Sequence, residues 1–314
     1  MVKKFLTTIF FLIFFYPLLS ESKIVKGKTA TSDYSMIVTR HYIASEVGNQ
    51  ILLDGGNAID ASVAVSFALS VVLPQASPIG GGGFMIIHDK NSDTNYALDY
   101  REMAPKAATE DMFIVNGEVD RKLALESYLS SGVPGTVKGL YIAHQKFGLL
   151  PWKRLVSPAI KLARDGFIIT ETLANSLESN KEKLAKTSDG REIFFNNGSI
   201  LKSGDLLVQT DLAQTLELIA QNGPAGFYEG HTAQKIHSDM RKNGGLISSA
   251  DLSNYKAKFR TPIEFNYKDL TILTMPPPSS GGLILGLMLN MIEQLELDYS
   301  DPHQAENILK ISEI

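Results

Sequence analysis

Residues 58–73 read AIDASVAVSFALSVVL, a run in which small and apolar side chains fall on nearly every helical face. A helix with no polar stripe has nothing to offer water, so it belongs at the centre of a domain with other elements packed round it. The β-branched residues would also suit a buried strand, but the length and the alanines favour a helix. Pro74 stops it. Residues 74–105 then read PQASPIGGGGFMIIHDKNSDTNYALDYREMAP. Here Gly80–Gly83 feed an apolar strand over 84–87, a polar turn occupies 90–94, and a second strand over 96–100 delivers Arg101. Consecutive glycines permit close backbone approach because no Cβ intervenes. An arginine at a strand end can fork onto a carboxylate, although such residues more often form structural ion pairs, here with Asp99, Glu102 or a remote acid.

The rest of the chain bounds the function. Its 314 residues, 44% hydrophobic and 20% charged, are ordinary for a globular protein with a sizeable core. A net charge of −4 with mixed signs argues against nucleic-acid binding. The chain has no cysteine, which excludes disulfides, thiolate metal sites and a cysteine nucleophile. At the N-terminus Lys3 and Lys4 precede an apolar run over 5–19 and the small residues of Ser20-Glu21-Ser22. That pattern predicts a cleaved export signal over residues 1–22, with a retained N-terminal anchor as the competing reading, and a periplasmic or secreted product with no stable membrane span.

Periodicity places a short strand at 36–38 and a helix from His41, carrying Ile43, Val47, Ile51 and Leu52 and ending at Asp54-Gly55-Gly56 before an N-cap at Asn57. Later signals predict a turn at Asn116-Gly117, a helix through Val137, Leu140, Tyr141 and His144 closed by Gly148, a helix over 152–164, and a charged helix over 170–186. A hairpin tip follows at Asn196-Asn197-Gly198, then helices through Leu212, Leu216 and Ile219 and over 231–242. Ser248 and Asp251 form a capping box, residues 261–275 a hairpin, and 283–295 an apolar helix. Strands followed by many helices, with few parallel crossovers, indicate an α+β fold.

Several chemistries fail on pattern. The glycine turn lacks the Gly-Lys-Ser/Thr ending of a phosphate loop, and it follows a helix and opens a strand, the reverse of a dinucleotide fingerprint. The six histidines show no metal-ligand spacing, and no Gly-x-Ser-x-Gly elbow is present. Ser279 and Ser280, in a proline-rich loop, are better read as turn-stabilising than as nucleophiles. No metal and no cofactor is expected.

Three blocks, Asp54-Gly55-Gly56-Asn57-Ala58-Ile59-Asp60-Ala61, Pro74–Phe84 and Asp99-Tyr100-Arg101-Glu102-Met103-Ala104-Pro105, resemble the γ-glutamyltranspeptidase (glutathione hydrolase) family. So do Ser131–Val137, Ala163–Phe167, Asn222-Gly223-Pro224, Lys242–Ile247 and Met275–Gly282, in the family's order. The resemblance implies a four-layer αββα N-terminal-nucleophile hydrolase sandwich, made as a proenzyme that cuts itself into a large and a small subunit. It implies hydrolysis or transfer of the γ-glutamyl group of glutathione and γ-glutamyl peptides, to water or an acceptor amino acid, through a γ-glutamyl-threonyl enzyme. It also implies that Arg101 binds the α-carboxylate of the γ-glutamyl group.

The resemblance covers only a large-subunit portion, over residues 23–314, so the fold is expected to be incomplete. No threonine here, Thr136 and Thr274 included, lies in the nucleophile's motif. The catalytic residue and the small-subunit partner are therefore expected outside this chain, and the chain alone is expected to be inactive. A related acylase, a poly-γ-glutamate enzyme of the same fold and a non-catalytic remnant are the alternative readings.

Overall fold

The computed structural model describes residues 29–295, 297, 300–301 and 303–314. The expected export segment, residues 1–22, lies outside the described residues. Residues 29–36 carry no helix or strand; there the N–H groups of Tyr34 and Ser35 both reach Ser32 Oγ at 3.4 Å.

From residue 37 the chain opens with two helices packed on each other, α1 (Tyr42–Leu53) and α2 (Ala58–Val72). The strand expected over 36–38 does not form, because no neighbouring strand pairs with it; Ile37 packs instead where Gly48 leaves α1 without a side chain. Helix α2 is the buried centre that its composition demands. Val63, Ala64, Phe67, Ala68 and Val71 are wholly buried, and α2 packs against α1, α3 (Thr136–Phe147) and α4 (Trp152–Asp165). The Phe67 ring meets Trp152 edge-on at 5.5 Å, and Trp152 in turn meets Tyr141 at 5.1 Å and donates to the Ile219 carbonyl at 2.9 Å. Burying a side chain of that size contributes roughly 1.5–3 kcal/mol.

The start of α2 is fastened on two sides. Asn57 Oδ1 accepts from the N–H groups of Ile59 and Asp60 at 2.9 and 3.0 Å, and Asp60 accepts from Asn57 N–H at 3.0 Å, completing a capping box. Asp60 also receives the Leu149 N–H at 3.1 Å, while Asn57 Nδ2 donates to the Phe147 carbonyl. A buried carboxylate beside a helix N-terminus thus ties α2 to the loop after α3.

On the outside of this helical pack, β1 (Phe84–Asp89) and β2 (Thr94–Asp99) form an antiparallel hairpin in the register Phe84↔Asp99 to Asp89↔Thr94. Downstream come α5 (Thr210–Asn222), α6 (Gly230–Lys242) and α7 (Ser249–Asn254), the last with the expected Ser248/Asp251 capping box. Strand β3 (Lys258–Arg260) then returns to the far edge of β2, pairing Ala97↔Arg260 and Asp99↔Lys258. A further hairpin, β4 (Ile263–Tyr267) and β5 (Leu270–Thr274), precedes α8 (Gly281–Ile292), and α9 (Ala305–Ser312) follows.

The charged helix expected over 170–186 is split into Glu171–Ser179 and Lys181–Leu184. Asn180 sits between them with its side-chain amide turned back to the Ser176 carbonyl at 2.8 Å, the local competition with helix that asparagine favours. The turn at Asn116-Gly117 and the hairpin tip at Asn197-Gly198 form as expected, each with both residues at positive φ.

Two helices apolar on all faces meet opposite fates. Helix α2 is covered; α8 is not, and its Leu283, Ile284, Leu285, Leu287 and Met291 are 41–63% exposed. No helix among the described residues is long and apolar enough to cross a membrane.

His41, just ahead of α1, is buried with neither ring nitrogen hydrogen-bonded among the described residues, between Tyr42 and the edge of Phe167. Burial lowers its pKa below the ordinary 6.5. The unfolded chain therefore takes up this proton first, and the stability His41 contributes is complete above pH 6.5 and lost as the pH falls towards its folded pKa. We expect His41→Phe to flatten the fall in urea midpoint between about pH 7.5 and 5.5. Trp152, the single tryptophan, provides the fluorescence to measure it. Parallel curves for the two proteins would contradict this account.

Candidate functional site

The glycine turn, the end of β2 and the loop before α3 converge. The β1–β2 ladder continues one pair beyond the strands: Gly83 N–H donates to the Tyr100 carbonyl at 3.2 Å and Tyr100 N–H to the Gly83 carbonyl at 3.0 Å. A Cβ at Gly82 would stand 2.6 Å from the Tyr100 oxygen and 2.8 Å from the Glu102 nitrogen, so a side chain there is excluded. Helix α3 begins with no side-chain cap, and the N–H groups of Gly135 and Thr136 are satisfied by the Gly81 carbonyl at 2.8 and 3.0 Å. Met103 and Val133 exchange backbone hydrogen bonds at 3.2 and 2.8 Å, closing the loop 132–135 against the residues after Arg101. Gly82 and Gly83 serve close packing, as expected, whereas a Cβ at Gly80 would meet open space and one at Gly81 would come no nearer than 3.2 Å to the Pro78 carbonyl.

Arg101 emerges from this cluster with its side chain exposed. The structural ion pair that its position also allowed is not made. The buried Asp99 carboxylate is taken by Arg260, whose Nε and Nη2 both approach Oδ2 at 2.8 Å, and by the Arg101 backbone N–H at 3.1 Å. No ion pair to the Arg101 guanidinium occurs among the described residues; its one polar contact is Nη1 to the Pro278 carbonyl at 3.4 Å. The guanidinium lines a cleft of about 270 Å³ together with Glu102, Met103, Lys258, Arg260 and Pro278. Cations outnumber carboxylates on its wall, so the cleft suits an anionic group.

A groove of about 590 Å³ between α5 and α6, lined by Gln214, Leu218 and Ile236, is larger. The smaller cleft is the chemical candidate, because an arginine without an ion pair opens into it. Ser279 Oγ accepts the Gly281 N–H at 3.3 Å, as a turn serine does. Tyr100, whose ring packs against Gly83 and Gly139, has its pKa pushed up to about 12 by burial and stays neutral.

The γ-glutamyltranspeptidase family model matches residues 44–314, nearly all of the described chain. The chain belongs to the γ-glutamyltranspeptidase family. It is 48% identical over 264 residues to the glutathione hydrolase proenzyme of Escherichia coli K12, a match that covers 83% of this chain and 45% of that protein. The crystal structure of Helicobacter pylori γ-glutamyltranspeptidase superposes with a TM-score of 0.88 at 43% identity, covering 91% of this chain and 82% of that one. The Bacillus anthracis transpeptidase CapD superposes with a TM-score of 0.75 at 35% identity, covering 91% of this chain and 89% of that one. The fold is therefore the α+β N-terminal-nucleophile hydrolase fold of this family. The chain spans about half the length of the curated relatives it matches, 45% and 48% for the first two.

Sequence reasoning singled out Arg101 and the glycine turn but missed the groups that hold them. Asp99 stands in the same block as Arg101 but its pairing with Arg260 has no sequence signal, and Arg260 and Tyr255 lie in no motif. Their signal lies in the pairing of β3 with β2, which brings residues 255–260 to residues 99–101 across a long stretch of sequence.

Proposed function

We propose that this chain supplies the γ-glutamyl-binding part of an exported enzyme that hydrolyses glutathione and other γ-glutamyl compounds or transfers their γ-glutamyl group to amino acids. The observation that carries the reading is the Arg101 guanidinium, free of any ion pair among the described residues and opening into a cationic cleft in a member of this family. A planar, permanently charged fork matches the α-carboxylate of a glutamyl group, and the neighbouring backbone is too tightly packed to move away from it. The acceptor is water or an amino acid or peptide, and no cofactor takes part.

The nucleophile, in this reading, is an N-terminal threonine on a small subunit cut from the same precursor, with its own α-amine as base. It attacks the γ-carbonyl to form a γ-glutamyl-threonyl enzyme, and backbone amides hold the oxyanion. The small subunit would also cover α8, whose apolar face is otherwise left to water. Residues 1–22 act as the export signal, and residues 23–314 form part of the large subunit.

Donor preference of the assembled enzyme tests the proposal. A γ-glutamyl anilide should turn over fastest. The 4-aminobutanoyl anilide, which lacks the α-carboxylate, should lose most of the kcat/KM, about 30-fold or more for one charge-assisted pair. A glutaryl anilide cleaved faster than the γ-glutamyl one would instead support the acylase reading. Equal rates on the first two donors would remove Arg101 from the account.

A further inference from the structure

Both polar groups of the Arg101 main chain are held by buried side chains, whereas its own side chain is nearly unrestrained. On one side the Arg101 N–H donates to Asp99 Oδ1 at 3.1 Å, and Asp99 is fixed in turn by the two Arg260 contacts at 2.8 Å. On the other side the Arg101 carbonyl accepts the Tyr255 hydroxyl at 2.8 Å. Asp99 and Tyr255 are only 9% and 4% exposed.

Tyr255 is itself braced. Its ring stacks on Tyr228 at 5.9 Å with the planes 6° apart. The Tyr228 hydroxyl donates to the Pro134 carbonyl at 2.9 Å and accepts the Lys138 N–H at 3.3 Å. A Cβ at Gly135 would fall on the Tyr255 hydroxyl and the Tyr100 carbonyl, so residue 135 is kept bare where the tyrosine must reach. Burial first, then Asp99, Glu102 and Tyr100, raises the Tyr255 pKa, and the hydroxyl is a permanent donor.

We propose that Tyr255 and Asp99 are positioning residues for γ-glutamyl binding, clamping the Arg101 main chain from both sides so that its guanidinium points into the cleft. The inference rests on the reading of Arg101 as the carboxylate anchor. The physical reason is leverage: pinning the N–H and the C=O on either side of one Cα fixes the direction of its Cα–Cβ bond. A small rotation there becomes a large displacement at the end of an arginine. A free guanidinium loses less entropy on meeting substrate when its base is already fixed.

The test is a kinetic cycle in the assembled enzyme. Tyr255→Phe keeps the ring and its stacking and removes one hydroxyl. It should raise KM for a γ-glutamyl anilide about 3- to 10-fold, the worth of one net hydrogen bond, with kcat within about twofold. Combined with Arg101→Ala, it should add almost nothing, and KM for the 4-aminobutanoyl anilide should not respond to it. If Tyr255→Phe fails to fold, Asp99→Ala serves, removing the acceptor of the Arg101 N–H, and the same pattern is expected. Should Arg101→Ala leave KM unchanged, the anchor reading itself falls. Should Arg101→Ala raise KM while the clamp variant leaves KM alone, lowers only kcat, or acts equally with and without Arg101, the clamp is overturned and the anchor stands.

Discussion

Arg101→Ala in the assembled enzyme should raise KM for a γ-glutamyl donor about 30- to 150-fold, the loss of about 2–3 kcal/mol from a charge-assisted pair. The expectation follows from what the guanidinium does not do in this structure. Asp99 is occupied by Arg260, and the Pro278 carbonyl at 3.4 Å is a weak competitor, so little has to be broken before substrate binds. Arg101→Lys keeps the charge but offers a point where the carboxylate needs a fork, and should cost about tenfold. Because the carboxylate lies remote from the scissile bond, the loss should fall mainly on KM. Steady-state kinetics with one chromogenic donor separate the cases, and an unchanged KM for both variants would end the assignment.

The second large effect concerns the fold. Asp60→Ala should lower unfolding stability by about 2–3 kcal/mol, the cost of losing a helix cap together with the hydrogen bonds to the following loop. Asp60 is wholly buried and receives the N–H groups of Asn57 and Leu149, so its removal strips the cap from α2 and releases the loop after α3 together. Urea unfolding followed by Trp152, which packs on the same helix through Phe67, reads this directly. A loss below about 1 kcal/mol would mean that the loop finds other partners.

Local pattern located most of the fold. The all-apolar run became α2, Asn57 became its cap, and Asn-Gly pairs marked two hairpin tips, because each of these is decided by side chains within a turn or two of one another. The failures came where neighbours decide. Residues 36–38 had strand composition but no strand beside them, and Asn180 divided a helix that charge pattern alone would continue. The site divided in the same way. Asp99 and Arg101 stand together in one motif, whereas Tyr255 and Arg260 could not be joined to them without the β2–β3 pairing that brings distant residues together. The two apolar helices carry a similar lesson. Composition alone does not distinguish α2, which its neighbours cover, from α8, whose apolar face the described residues leave open.

The central claim is that this chain carries the γ-glutamyl anchor and depends on a nucleophile outside residues 1–314. Hydrolysis of γ-glutamyl-p-nitroanilide measures it most directly, using the 314-residue chain alone and the same chain continued through the region its relatives possess beyond the matched span. The account predicts no turnover from the chain alone and self-cleavage followed by turnover from the continued one. Turnover by the 314-residue chain alone would contradict it.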